Sequence, residues 1–175
     1  MVLQNMRMLR LTEEHKFKPF DCDNKDLNEF LLNDSKDYLK KLLAVTYVLE
    51  SPEETIAYFS LANDKISLLE SNRSVWRKIK KSFAHRKHRS DYPAVKIGRF
   101  AVNVKYQGSD IGSSLMDFIK EKSIMNSRSG CAFITVDALK NVIPFYLKND
   151  FQFLDKTTYD TEGDTATLYF NLNSM

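Results

Sequence analysis

The stretch that most limits how this chain can fold runs from Val95 to Ile124 and reads as strand, glycine-bearing turn and amphipathic helix. Ala94-Val95-Lys96-Ile97-Gly98-Arg99-Phe100-Ala101-Val102 is mostly apolar and β-forming, the pattern of a buried strand. Beyond it Ile111, Leu115, Phe118 and Ile119 recur at helical spacing and mark one buried face. Between the two lies Tyr106-Gln107-Gly108-Ser109-Asp110-Ile111-Gly112. A helix that opens from such a turn presents N–H groups without i−4 partners, backed by the positive end of the helix dipole. The turn is therefore a candidate anion site.

A second segment adds to this. Ile134-Thr135-Val136-Asp137-Ala138 predicts a short buried strand, Val142 to Lys148 a helix of about two turns, and the run entered at Phe151 a further strand. Asn149-Asp150 has the composition of a left-handed turn that ends a helix. Elsewhere Met6 to Leu11 reads as a first strand. Asp23-Asn24 caps a helix whose inward stripe is Leu27, Phe30, Leu31, Tyr38 and Leu42. Leu43 to Glu50 and Thr55 to Leu61 form a hairpin across Ser51-Pro52-Glu53-Glu54, and Ala166 to Leu172 is a closing strand.

Strand, turn and helix together resemble the acetyl-CoA-binding core of the GCN5-related N-acetyltransferases, the GNAT superfamily. Its pattern is Gln or Arg, two residues, Gly, one residue, then Gly or Ala, with a further Gly commonly just after the Gln. Gln107, Gly108 and Gly112 match, while Asp110 stands at the middle glycine. Downstream the family runs Phe-Tyr, a few residues, Gly-Phe; here Phe145-Tyr146 is followed by Asp150-Phe151. The asparagine often found seven residues before the tyrosine is Leu139 in this chain. The resemblance covers nearly the whole chain and implies an α/β (α+β) fold, a mixed, splayed sheet flanked by helices. It also implies acetyl-CoA as acyl donor and a primary amine as acceptor. By the same resemblance, main-chain groups of Phe100, Ala101 and Val102 pair with the cofactor, and the Val102 N–H polarises the thioester carbonyl. Gln107, Gly108, Ser109, Asp110, Ile111, Gly112 and Ser113 take the pyrophosphate. Tyr146 is the general acid, a reasonable role for a phenol of pKa near ~10 facing a thiolate whose conjugate acid titrates near ~8.5.

Length and composition agree. At 175 residues with 43% hydrophobic content the chain suits one folded domain over residues 1–175, and no linker or repeat marks a boundary. No apolar run approaches the ~20 residues that span a bilayer, and no secretory signal opens the chain. Cys22 and Cys131 are too few for a disulfide framework and lack metal-type spacing. A reduced cytoplasmic setting, without membrane or metal, is the expectation.

Arg73 to Arg89 is the other distinctive segment. It holds Arg73, Arg77, Lys78, Lys80, Lys81, Arg86, Lys87 and Arg89 and no acid, so the rest of a +3 chain has 18 basic against 23 acidic residues. Trp76, Ile79 and Phe83 fall at helical intervals, which predicts an amphipathic helix whose cationic face is either simply solvated or a polyanion site. His85 and His88 lie among cations that repel a metal, and no third ligand is evident. Phe20-Asp21-Cys22, the Leu27-to-Leu32 helix, Ala57-Tyr58-Phe59-Ser60-Leu61 and Arg99-Phe100-Ala101-Val102 are similar in layout to the tRNA-acetylating GNAT toxins. Those carry Phe-x-Cys-Gly, Gly-Tyr-Tyr-Ser-Leu and Arg-Leu-Ala-Val; Asp23 and Ala57 replace the two glycines here. This likeness implies aminoacyl-tRNA as an alternative acceptor, with Arg77, Lys78, Lys80, Lys81, Arg86, Lys87 and Arg89 on its phosphates, and a small antitoxin protein as partner.

No Asp or Glu lies on the central strand to serve as general base. Asp137 is the nearest acid on a core strand and reads more readily as a hydrogen-bonding residue. Water suffices if the acceptor is an α-amine, near ~7.7–8.0, rather than a lysine near ~10.4. A non-catalytic binding module is the further alternative, kept open by Asp110 and Asp150. Monomer and homodimer are both compatible with the sequence.

Overall fold

The computed structural model describes residues 5–67, 71–83, 89–125, 129–155 and 163–175. Its strands are β1 (Arg7–Arg10), β2 (Val45–Glu50), β3 (Thr55–Ser67), β4 (Asp91–Val102), β5 (Phe133–Leu139), β6 (Gln152–Phe153) and β7 (Thr165–Asn171). They lie in one mixed sheet in the order β1-β2-β3-β4-β5-β7-β6. Helices α1 (Lys25–Glu29), α2 (Ser35–Lys40), α3 (Arg73–Lys81), α4 (Ile111–Met125) and α5 (Ile143–Lys148) complete the α+β architecture. β1/β2 and β2/β3 pair antiparallel, as β5 and β6 each do with β7. Neighbouring β4 and β5 are joined through α4, the long crossover that adjacent strands running the same way require.

The chain forms two compact units, one of Met1–Ala62 and Ile97–Leu115, the other of Asn63–Lys96 and Met116–Met175. In the first, the β2–β3 turn is the expected Ser51–Glu54. The Ser51 N–H donates to the Glu54 carbonyl, and Ser51 Oγ accepts from the Glu53 and Glu54 N–H groups. Phe20, Cys22, Phe30 and Leu31 pack with Val48, Tyr58 and Ala101 into its core. Asn24 caps α1 by accepting from the Leu27 N–H at 3.1 Å.

The helical stripe expected there holds for Phe30 and Leu31, keeps Tyr38 only at its edge and fails for Leu42. Tyr38 is 38% exposed, yet its ring meets Phe30 edge-on at 5.1 Å, whereas Leu42 is 90% exposed. A π-helical turn over Phe30–Asp34 interrupts the 3.6-residue phase between α1 and α2. Leu42 lies past the end of α2 with φ +57°, outside the helix altogether.

In the second unit, Trp76 and Ile79 of α3 are buried against Ile66, Tyr92, Phe133, Leu154 and Tyr169, with Phe83 partly buried beside them. Phe83 stacks on Tyr92 at 4.6 Å between ring centroids. The predicted amphipathic helix thus exists over Arg73–Lys81, started by the Asn72 side chain, which accepts from the Ser74 N–H. Arg86, Lys87, His85 and His88 lie outside the described residues.

Candidate functional site

The first unit builds a turn held from several sides. β4 ends at Val102, and Asn103 takes over: its N–H donates to the Ile56 carbonyl at 2.8 Å and its Nδ2 to the Thr55 carbonyl at 3.2 Å. The Asn103 Oδ1 accepts from the Lys105 N–H at 3.1 Å, starting a 3₁₀ turn over Val104–Tyr106. Glu54, at the β2–β3 turn, then grips two residues of that turn. It accepts from Lys105 Nζ at 2.7 Å and from the Tyr106 hydroxyl at 3.0 Å. The Lys105 ammonium, ahead of the Tyr106 hydroxyl, holds the Glu54 carboxyl below its usual range, while Glu54 pushes both Lys105 and Tyr106 upward.

Gln107 follows with its side chain already engaged, donating to the Val102 carbonyl at 2.9 Å and the Cys22 carbonyl at 3.1 Å. Its amide nitrogen is thus committed to protein carbonyls. Gly108 has φ +75°, and no atom lies within 4 Å of where its Cβ would stand. The requirement there is one of torsion, not of space. Ser109 closes the turn: its hydroxyl donates to the Tyr106 carbonyl at 2.5 Å, and its Oγ accepts from the Ile111 N–H at 3.4 Å. Ser109, rather than Asp110, supplies this side-chain contact at the start of α4. Asp110 is exposed, and its carbonyl accepts from the Ser114 N–H as the first hydrogen bond of α4. By helix geometry the N–H groups of Ile111, Gly112 and Ser113 lack an i−4 carbonyl within the helix. Phe100 and Val102 are half-buried, whereas the Ala101 side chain belongs to the core. The turn and the strand before it can therefore hold an anion through main-chain N–H groups and the α4 dipole.

Tyr146 sits in the second unit, in the middle of α5. The helix stops in a Schellman turn: the Phe151 N–H donates to the Tyr146 carbonyl at 3.1 Å and the Asp150 N–H to the Leu147 carbonyl at 3.1 Å. Asp150 takes the left-handed position with φ +66°, as read from the sequence. The apolar contact that usually accompanies the motif is made by the Tyr146 and Phe151 rings, 5.5 Å apart and edge-on. Phe145 adds a second edge-on contact at 5.2 Å. Tyr146 is 5% exposed, and burial pushes its phenol well above the ordinary tyrosine range. The hydroxyl therefore stays protonated throughout neutral and mildly alkaline pH.

In the same unit, Lys120 of α4 is buried. Its Nζ lies 4.4 Å from the Phe170 ring centroid, 3.8 Å from Asp117 Oδ1 and 3.9 Å from Asp150 Oδ2. Asp137 is tied down on β5, ion-paired with Lys96 and accepting from the Thr167 hydroxyl at 2.8 Å. This matches the reading of Asp137 as a hydrogen-bonding residue of the sheet. On α3, Arg77, Lys78 and Lys81 are exposed and Lys80 half-buried; Arg89 is exposed before β4. Among the described residues no group of three or more His, Cys, Asp and Glu could hold a metal ion, and no helix is long and apolar enough to cross a membrane.

Sequence reasoning missed Asp21, Asn28, Glu54 and Asn103, which shape the turn without belonging to it. Only Asn103 left a local sign, a capping residue directly after a strand.

Residues 78–165 match the family model described as an acetyltransferase (GNAT) domain. No curated protein gives a significant match to the sequence. Among solved structures the chain is similar to AtaT complexed with acetyl-methionyl-tRNAfMet, at 22% identity over 97% of this chain and 96% of that one, with a TM-score of 0.75. A tyrosine-to-phenylalanine mutant of KacT is 20% identical over 98% and 97% of the two chains, with a TM-score of 0.78. AtaTR bound with AcCoA is 23% identical over 97% and 95%, with a TM-score of 0.71. At such identities the likeness establishes a shared fold.

Proposed function

Because this chain belongs to the GNAT acetyltransferase family, we propose that it transfers an acetyl group from acetyl-CoA to a primary amine, with Tyr146 as general acid. The observation that carries the reading is the turn before α4. Gly108 holds the left-handed torsion, nothing fills the space over its Cα, and the first N–H groups of α4 lack helical acceptors. These features fit a pyrophosphate held by main-chain groups of Gln107, Gly108, Ser109, Asp110, Ile111, Gly112 and Ser113. Main-chain groups of Phe100, Ala101 and Val102 would hold the rest of the donor beside β4. Asp110 is compatible with this only while its carboxylate points to water, where ~80 rather than a low dielectric weakens its repulsion of phosphate.

When bound, acetyl-CoA supplies an activated thioester. The Val102 N–H is the proposed donor to the carbonyl oxygen as negative charge grows there. The amine nitrogen attacks the carbonyl carbon, forming the C–N bond as the C–S bond breaks. Water takes the proton from the amine, and Tyr146 gives its proton to the departing sulfur and recovers one from solvent. Burial keeps the phenol protonated and also makes its proton harder to give up, so the transfer depends on the negative charge that develops on sulfur. Calorimetry with acetyl-CoA and its dephospho analogues tests the reading. Micromolar binding that weakens without the phosphates is expected, and absence of binding overturns it.

A second reading narrows the acceptor to the α-amine of aminoacyl-tRNA, with a small antitoxin protein as partner. The helix α3 supports it, with Trp76 and Ile79 anchoring a face that displays Arg77, Lys78 and Lys81 and no acid. So does the likeness to AtaT bound to acetyl-methionyl-tRNAfMet. An α-amine near ~7.7–8.0 also needs no strong base. Changing Arg77, Lys78 and Lys81 together to Gln is expected to lower acetylation of aminoacyl-tRNA and to reduce its log–log salt slope by about 2–3, with acetyl-CoA binding unchanged. Unaltered tRNA acetylation would remove α3 from tRNA binding, and a wild type that leaves aminoacyl-tRNA unacetylated would exclude this acceptor.

A further inference from the structure

The turn that begins β4's exit is held by two carbonyls that lie far from it in sequence. The Asp21 carbonyl accepts from the Val104 N–H at 2.8 Å, and the Cys22 carbonyl accepts from Gln107 Nε2 at 3.1 Å. Neither carbonyl has a strand or helix to fix it, since Phe20 to Asp23 is irregular chain. One side chain bridges both residues. Asn28 Oδ1 accepts from the Cys22 N–H at 3.0 Å and from the Cys22 thiol at 3.1 Å, while Asn28 Nδ2 donates to Asp21 Oδ1 at 2.8 Å.

The rest of the local structure serves the same arrangement. Asp21 Oδ1 also accepts from the Asp23 N–H at 2.9 Å, closing a turn in which Asp23 stands at φ +59°. That turn leads directly to Asn24, which caps α1 and accepts through its carbonyl from the Asn28 N–H at 2.9 Å. Asn28 is thus fixed by the helix it sits on and holds both residues whose carbonyls hold the turn. An amide suits this position because it presents one acceptor and one donor side by side at fixed spacing. A carboxylate would set like charge against Asp21.

We infer that Asn28 is a positioning residue for acetyl-CoA binding, acting through Asp21 and Cys22 on the backbone of Gln107. This rests on the reading that the Gln107–Ser113 turn holds acetyl-CoA. Asn28 does not touch that turn; it decides where the Cys22 carbonyl stands, and so where Gln107 can anchor.

Three proteins test this beside the wild type: Asn28→Ala, Gln107→Ala and the double variant. Asn28→Ala is expected to weaken acetyl-CoA binding and raise its KM about tenfold, the net effect of one lost hydrogen bond, while kcat at saturation stays within about twofold. Gln107→Ala should do the same, and the double variant should be little worse than either, because both act on one contact. A merely structural asparagine would lower thermal stability and leave these effects additive. If Asn28→Ala fails to fold, Asn28→Asp keeps the shape and should show the same loss of affinity, relieved on adding Asp21→Asn. Unchanged acetyl-CoA affinity in a folded Asn28 variant, or additivity with Gln107→Ala, overturns the inference. A wild type that binds no acetyl-CoA overturns both this inference and the reading beneath it.

Discussion

Gly108 offers the cleanest separation of torsion from space. Its φ of +75° is one that an L-residue adopts at a cost of about 1–2 kcal/mol, yet a Cβ there would meet no atom within 4 Å. Gly108→Ala therefore introduces the torsional cost without a clash. Part of the effect on folding is offset, because alanine lowers the entropy of the unfolded chain by about 0.4–1 kcal/mol. A net loss of roughly 1 kcal/mol remains, or a fall in Tm of about 2–4 °C at this chain length. The effect on ligand binding need not be offset in that way. If the free turn of the variant instead relaxes to right-handed torsions, the loss in Tm is relieved and the 1–2 kcal/mol falls on binding, as about 5–30-fold weaker acetyl-CoA affinity. Gly108→Asn should recover most of whichever loss is seen, since asparagine tolerates the left-handed region. Calorimetry and thermal melts on the two variants give the comparison. Equal and severe loss in both would mean that the Cβ, not the torsion, is what the site rejects. No loss in either would remove the turn from cofactor binding.

Further expectations concern the second unit and the behaviour in acid. Tyr146→Phe should lower turnover by about 10²–10⁴-fold with acetyl-CoA affinity and Tm nearly unchanged, since both ring contacts survive; full activity would take Tyr146 out of the reaction. Lys120→Ala should cost roughly 2–4 kcal/mol, chiefly by leaving a void beside Phe170, since the exposed carboxylates of Asp117 and Asp150 rehydrate, whereas Lys120→Met should lie within about 1 kcal/mol of wild type or above it. Thermal melts that place Met as low as Ala would show that the charge itself is needed. Glu54 is held below its unfolded carboxyl range, so its contribution is complete above the unfolded value near ~4.3 and is lost as pH falls through the folded one. Stability and acetyl-CoA affinity should therefore decline together below that range, and Glu54→Gln should flatten the decline; an unchanged acid limb would exclude Glu54 as its source.

What the sequence made legible was whatever depends on local pattern. The strand–turn–helix of β4 and α4, the β2–β3 hairpin, the cap at Asn24 and the left-handed end of α5 all follow from residues close together. The errors have physical causes of the opposite kind. A single π-helical turn at Phe30–Asp34 is invisible to a 3.6-residue period, and so is the left-handed exit that puts Leu42 past the end of α2. Glu54 and the carbonyls of Asp21 and Cys22 hold the turn through hydrogen bonds to partners tens of residues away, and Asn28 reaches it only through Asp21 and Cys22; a polar side chain in a loop or on a short helix carries no sign of that task. Gln107 was legible as a motif residue but not in its manner of action. The motif implies contact with the ligand, whereas its amide holds chain to chain.

Asp23 and Asp150 stand at φ +59° and +66° in two positions where the resembling sequences carry glycine. The backbone there asks for a torsion that aspartate can supply, so the letter can change while the shape is kept. Codons for aspartate and glycine differ by one base, which makes the exchange a single mutational step in either direction. At these two positions a motif written in residues reads a loss, whereas one written in torsions reads the shape as kept. The fold there depends on a left-handed backbone and not on glycine itself.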